Sequence, residues 1–191
     1  MKSLLVALIL LVAIITVVAV QAAPLERQHG AHVHGQANGT LAVDNGRLSL
    51  SLVVPGVNLV GFEHPPSDDD QRQRLDKVEQ ALESGDWLTF DSDGDCRIES
   101  SELAMPGFAE GSHDHDEHHH DHHHHDHNDH EHAEFHVDVD IACIRVGRLG
   151  WIELNLFEDY PGNEKIRMDV LRDTRAERLR LTPGDTRIRL P

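Results

Sequence analysis

The stretch from His113 to His132, HDHDEHHHDHHHHDHNDHEH, holds twelve histidines, seven acidic residues and one asparagine, Asn128. Neutral imidazole is the commonest protein ligand for borderline divalent metals. Zn2+ takes four ligands, usually in a tetrahedron, so His113, His115, His118, His119, His120, His122, His123, His124, His125, His127, His130 and His132 together could satisfy about three ions. The carboxylates between them can ligate directly, or accept the second ring N–H of a ligating histidine. No fixed spacing picks out one set of four, so many sets are nearly equivalent. A flexible tract loses ordering entropy on binding, which makes each site weaker than a rigid one. Capacity and fast exchange are the gain. Cu2+, Ni2+ and Co2+ suit the same donors, with Cu2+ above Zn2+ in the Irving–Williams order. Imidazole must be neutral to ligate, so affinity is expected to fall below about pH 6.5. The bland alternative is a solvated linker, but a linker has no reason to collect imidazoles.

A second group of histidines falls on segments that read as ordered. HGAHVHG carries His29, His32 and His34, and GFEH adds Glu63 and His64. In a strand, His32 and His34 face the same way. Three imidazoles beside a carboxylate suit zinc; surface histidines without a ligand are the competing reading. Beyond the tract, His136 and Asp138 share one strand face and could extend a metal path toward the fold.

The segment DSDGDCRIESSE, 91–102, matches a calcium-binding EF-hand loop at Asp91, Asp93, Asp95, Ile98 and Glu102. The sixth position, where the sharp turn needs Gly, is Cys96. Gly85 ends the preceding helix too early, and Pro106 follows too soon for an exiting helix. These mismatches weigh against calcium.

Lys2, the apolar run Leu4–Val20 and the Val20-Gln21-Ala22 site read as a secretory signal peptide over 1–22. An uncleaved membrane anchor competes, because the run is long. No Cys lies near the site, so no lipid anchor is expected. The chain has 191 residues and a net charge of −17, and loss of Lys2 with the signal would make it −18. Such a chain repels nucleic acid and anionic membranes, and attracts cations. Two cysteines, Cys96 and Cys143, bracket the tract. In an exported protein a single pair reads as one disulfide, with two buried free thiols as the alternative. A bridge would also pin both ends of the insert to one place.

Leu41 and Val43 alternate with polar residues, Asp44-Asn45-Gly46 signals a tight turn, and Leu48, Leu50, Leu52 and Val54 alternate again. That pattern predicts a hairpin. A loop follows through Pro65-Pro66. A helix is expected from Asp68 to about Gly85, with acidic residues in its first turn and Leu75, Val78 and Leu82 on one side. DWLTF and CRIESSEL are short strand candidates. After the tract, Phe135, Val137, Val139, Ile141 and Cys143 share a strand face. Residues 148–162 are expected to form a short helix with Trp151, Leu154 and Phe157 on one side. A second hairpin and a last strand, TRIRL, complete the chain. The order predicts an α+β domain with a largely antiparallel sheet and two short helices. Its two parts, 23–109 and 134–191, are interrupted by a disordered His/Asp-rich loop at 110–133.

The segments HGAHVHGQANGTLAV, NLVGFEHPP, EFHVDVDIAC and WIELNLFEDYPG, with a Cys before a variable His/Asp-rich insert, resemble the ZrgA-type zinc-regulated proteins from about His29 to Leu190. That resemblance implies a periplasmic zinc-binding accessory protein of Gram-negative bacteria. Such a protein passes Zn2+ toward a high-affinity importer, either a zinc ABC importer or its periplasmic binding protein. It carries His32, His34 and His64 as ligand candidates beside the tract. DSDGDC departs from the family, in which a more apolar strand is expected before Cys96. Storage or detoxification of zinc, copper or nickel is the alternative function. A hydrolytic enzyme is not expected: there is no H-E-x-x-H motif, nucleophile elbow or phosphate loop.

Overall fold

In a computed structural model the described residues are 33–109 and 132–190. The signal segment 1–22, His32 and the tract histidines from His113 to His130 lie outside them. The first hairpin forms as its alternation predicts, with β1 at Gln36–Asp44 and β2 at Arg47–Pro55. Asn45 and Gly46 turn the chain at φ 45° and 87°. Two successive positive φ values match the right-handed twist of a two-residue hairpin, which is why Asn-Gly stands there.

β2 runs into a one-turn helix, α1 (Gly56–Leu59), where the sequence predicts only loop. Tertiary contact sets it: Gly56 N–H donates to the Ala133 carbonyl at 2.7 Å. The helix α2 spans Asp69–Ser84. Its N-cap Asp68 accepts from Gln71 N–H at 2.8 Å, with Asp69 and Asp70 in the positive first turn. Gly85 ends it in the left-handed conformation, φ 71°. Leu75, Val78 and Leu82 form its buried side.

Strands β3 (Leu88–Phe90), β4 (Cys96–Ala104) and β5 (Glu134–Cys143) follow. A 3-10 turn at Ser92–Gly94 stands where the family resemblance implies an apolar strand. Glu102 lies in a strand paired with β5, where an EF-hand would need the start of its exiting helix.

Residues 148–162 are not the helix that the spacing of Trp151, Leu154 and Phe157 predicts. They form β6 (Trp151–Leu154) and only one helical turn, α3 (Leu156–Asp159). Ile152 and Leu154 are buried at strand period, and β6 pairs with a neighbour on each edge, so sheet formation overrides the helical spacing. β7 (Lys165–Arg172), β8 (Arg175–Leu181) and β9 (Arg187–Arg189) complete the chain as predicted. The described residues thus hold three helices rather than two.

One sheet has the order β4-β5-β2-β1-β7-β8, antiparallel except for the β1–β7 pair, and a second has β3-β6-β9. The α+β class and its largely antiparallel sheet are therefore as the sequence indicates. In the large sheet the registers align Leu41 with Leu50, Leu50 with Val139, and Leu52 with Val137. These inward side chains join Leu82, Ile152, Leu154, Ile166, Met168 and Ile188 in one buried core. Each fully buried Leu or Ile contributes roughly 1.5–3 kcal/mol over its exposed state. Ser49, Ser51, Asp138 and Asp140 occupy the opposite, polar face, where Ser49 Oγ donates to Asp140 at 2.8 Å.

Cys96 and Cys143 form a disulfide, paired across the start of β4 and the end of β5. The tract connects the other ends of the same two strands. The bridge therefore does not pin the insert, as its place in the sequence suggests; it lies a strand length away, about 27 Å. What holds the insert's ends is the ladder itself, down to Ala104 opposite His136, and Glu134 N–H donating to the Pro106 carbonyl at 3.1 Å.

Candidate metal centre

Three chain segments meet at one carboxylate. His34 sits in a turn just before β1, not in a strand with His32 as the period predicts. Gln36 N–H closes that turn on the Val33 carbonyl at 2.9 Å, and Gly35 supplies φ 79°. The turn is fastened from both sides. Gly35 N–H donates to Asn58 Oδ1 at 2.8 Å, and its carbonyl accepts from Glu164 and Lys165 N–H at 2.8 and 3.0 Å. Asn58 is buried and donates in turn to Asn163 Oδ1 at 3.2 Å.

Glu63 is placed by an aromatic stack. Its neighbour Phe62 packs edge-on to Phe108 at 5.9 Å, and Phe108 lies 4.9 Å from Phe135 of β5. His132 is placed by its own neighbour, Ala133, which is fully buried. Gly56 fits over the Ala133 carbonyl only without a side chain, since a Cβ would come within 2.8 Å of that oxygen. His132 and Ala133, which the sequence places within the loop expected over 110–133, are thus held by the fold.

The result is that Glu63 Oε2 accepts from His34 Nε2 at 3.2 Å and from His132 Nδ1 at 2.9 Å. The carboxylate is mostly buried, at 10% exposure, whereas the two imidazoles are 63% and 61% exposed. A carboxylate only accepts, so in the neutral imidazoles the protons sit on His34 Nε2 and His132 Nδ1. The lone pairs then fall on His34 Nδ1 and His132 Nε2. Such a carboxylate fixes the tautomer and raises the basicity of a metal-binding histidine.

One strand step on, His136 Nε2 donates to Glu134 Oε2 at 2.9 Å, both groups being nearly buried. His132, Glu134 and His136 recur at strand period, a signal present in HAEFH that the sequence reading used only for His136. Asn58 in NLVGFEH was likewise missed; a polar residue among apolar ones was its only mark. His64 is not brought to His34 or His132 by any contact among the described residues. Its Nδ1 donates to the Pro65 carbonyl at 2.7 Å, and its ring lies against Phe62 at 5.2 Å. Among the described residues no three His, Cys, Asp or Glu side chains are arranged to hold a metal ion by themselves. The cluster offers two oriented imidazoles and needs further donors.

Oriented imidazoles beside a histidine-rich stretch of sequence are donors suited to a divalent transition metal. The sequence profile of the ZrgA family zinc uptake protein matches residues 31–190, and the chain belongs to that family. Its role lies in zinc uptake. Comparison with curated proteins finds no match.

Proposed function

We propose that the chain is an exported, periplasmic zinc-binding accessory protein that captures Zn2+ and supplies a high-affinity import system, without catalysing a reaction. The single observation behind this reading is the shared Glu63 oxygen. It joins an imidazole from the segment before β1 to the last imidazole of the tract. In this reading the tract collects ions at many weak sites. His132, at its end, delivers them to His34, and His32 completes the coordination. Glu63 keeps both rings in the ligating tautomer. The exposure of both rings suits exchange with a partner, either a zinc ABC importer or its periplasmic binding protein.

The test is zinc accumulation under chelator stress in cells that lack the gene or carry it intact, with 110–131 deleted or with Glu63→Ala. Reduced accumulation in both variants is expected, with the protein in the osmotic-shock fraction. Unchanged accumulation in cells lacking the gene, or retention of the protein in the cytoplasm, would overturn the reading.

A further inference from the structure

Charge is very unevenly spread along the chain. Eight of its 17 basic residues lie between Lys165 and Arg189, against four of its 34 acidic residues. Most arginines elsewhere find a carboxylate: Arg47 and Arg97 hold Glu99, Arg145 holds Asp95, and Arg187 holds Glu153. On β7 and β8 only Arg178 does, bound to both oxygens of Asp169 at 2.7 and 3.0 Å. Arg167, Arg172, Arg175 and Arg180 form no ion pair among the described residues.

The register sharpens this. Arg167 stands directly opposite Arg180, and Arg172 directly opposite Arg175. Like charges facing each other across a strand pair are destabilising. The fold tolerates two such pairs on one hairpin, although acidic residues abound in the chain. Ile166, Met168 and Leu181 point inward, so Arg167 and Arg180 project onto the open face of the sheet. Between them and the hairpin tip, exposed Leu171 faces Ala176. A recess of about 310 Å³ lined by Thr40, Arg167, Asp169 and Arg178 lies beside them, and one of about 480 Å³ lined by Arg172, Asp173, Arg175, Glu177 and Arg189 lies at the tip.

β8 is also the last strand of its sheet, with no strand beyond it among the described residues. Charged side chains on such an edge commonly guard against pairing. With Arg175, Arg178 and Arg180 against Glu177, the charge on β8 is net positive, which favours an acidic strand over a basic one. We propose that β8 and the open face beside it dock an acidic, extended segment of a second protein, added as a strand along the β8 edge. Seven residues of β8 span about 23 Å, which suits a segment of similar length. A long polyanion such as nucleic acid, or an anionic membrane, would extend past the patch into the field of a chain of net charge −17. The proposal stands independently of the zinc reading.

The probe is a fluorescent ten-residue peptide alternating Glu and Val, followed by anisotropy against the full chain. Saturable binding is expected, weaker at higher salt. It should weaken about tenfold in the double variant Arg167→Gln/Arg180→Gln and largely return in Arg167→Lys/Arg180→Lys. N-methylation of alternate peptide amides should abolish it. Circular dichroism and melting establish that the variants fold. Equal binding of the N-methylated peptide or of a Lys–Val peptide, no binding, or binding unchanged in the Gln variant would each overturn the proposal. So would binding that emerges only after deletion of 110–131, which would make the chain's own tract the occupant. Arginine-dependent binding to phosphatidylglycerol vesicles in preference to the peptide would replace the protein partner with a membrane.

Discussion

Removing the disulfide should cost stability without touching zinc binding. Cys96 and Cys143 are 47 residues apart in sequence. Closing such a loop in the unfolded chain corresponds to about 4 kcal/mol in the chain-entropy account. Because the tract lies inside that loop, its length sets part of the effect. Deleting 110–131 shortens the 47-residue separation by 22, which should lower the bridge's contribution by about 0.6 kcal/mol. The bridge clamps the end of the β4–β5 ladder opposite the tract, so Glu63, His34 and His132 should keep their places. The assay is guanidinium unfolding read by tryptophan fluorescence, since Trp87 is buried in the core. Four chains are compared: with and without Cys96→Ala/Cys143→Ala, each at full length and lacking 110–131. A loss of about 4 kcal/mol at full length and a slightly smaller loss in the short chain are expected. A loss below about 1 kcal/mol, a larger loss in the short chain, or a fall in zinc stoichiometry on Cys replacement would refute the reasoning.

Other consequences are as specific. Asn58→Ala removes the acceptor that fastens Gly35 and leaves buried groups unpaired, at about 1–3 kcal/mol; zinc affinity at the fixed site should fall with it, measured by chelator competition and thermal melting. Asp68→Ala deletes the cap of α2 and should cost about 1 kcal/mol in chemical denaturation, with zinc binding unchanged. Glu153 is held below its ordinary value of 4.5, first by the Thr186 hydroxyl and also by Arg187, against partial desolvation. A depressed carboxyl stabilises the fold above its unfolded value, and that contribution is lost as pH falls through the folded one. Glu153→Gln should therefore lower stability at pH 7 by less than about 1 kcal/mol, since the group is partly exposed. The deficit should vanish when denaturation is repeated well below pH 4.5.

Much of the fold was legible because its signals are local. Asn45-Gly46, the acidic first turn of α2, Gly85 and the alternation of Phe135 to Cys143 each fix an element by short-range rules. The failures were at places decided by distant partners. Trp151, Leu154 and Phe157 are spaced as on a helix, but β3 and β9 make the segment a strand. Nothing near Gly56 announces that Ala133 will receive its N–H. The candidate site divides the same way. His34 and the tract were evident from composition, and Glu63 from its neighbourhood. That His132 belongs to the fixed cluster depends on contacts across 69 residues of sequence. The disulfide pair was readable, but its distance from the insert followed only from the direction of β4 and β5.

The most direct test of the account is a zinc titration against a competing chelator at pH 7.5, using the chain without residues 110–131 and the same chain carrying Glu63→Ala. The deletion should remove the weak sites and leave one tighter site. Glu63→Ala should then weaken that site about 10- to 100-fold, the effect expected of a carboxylate that orients ligating histidines. Loss of all zinc binding on deletion, or a remaining site indifferent to Glu63→Ala, would contradict it.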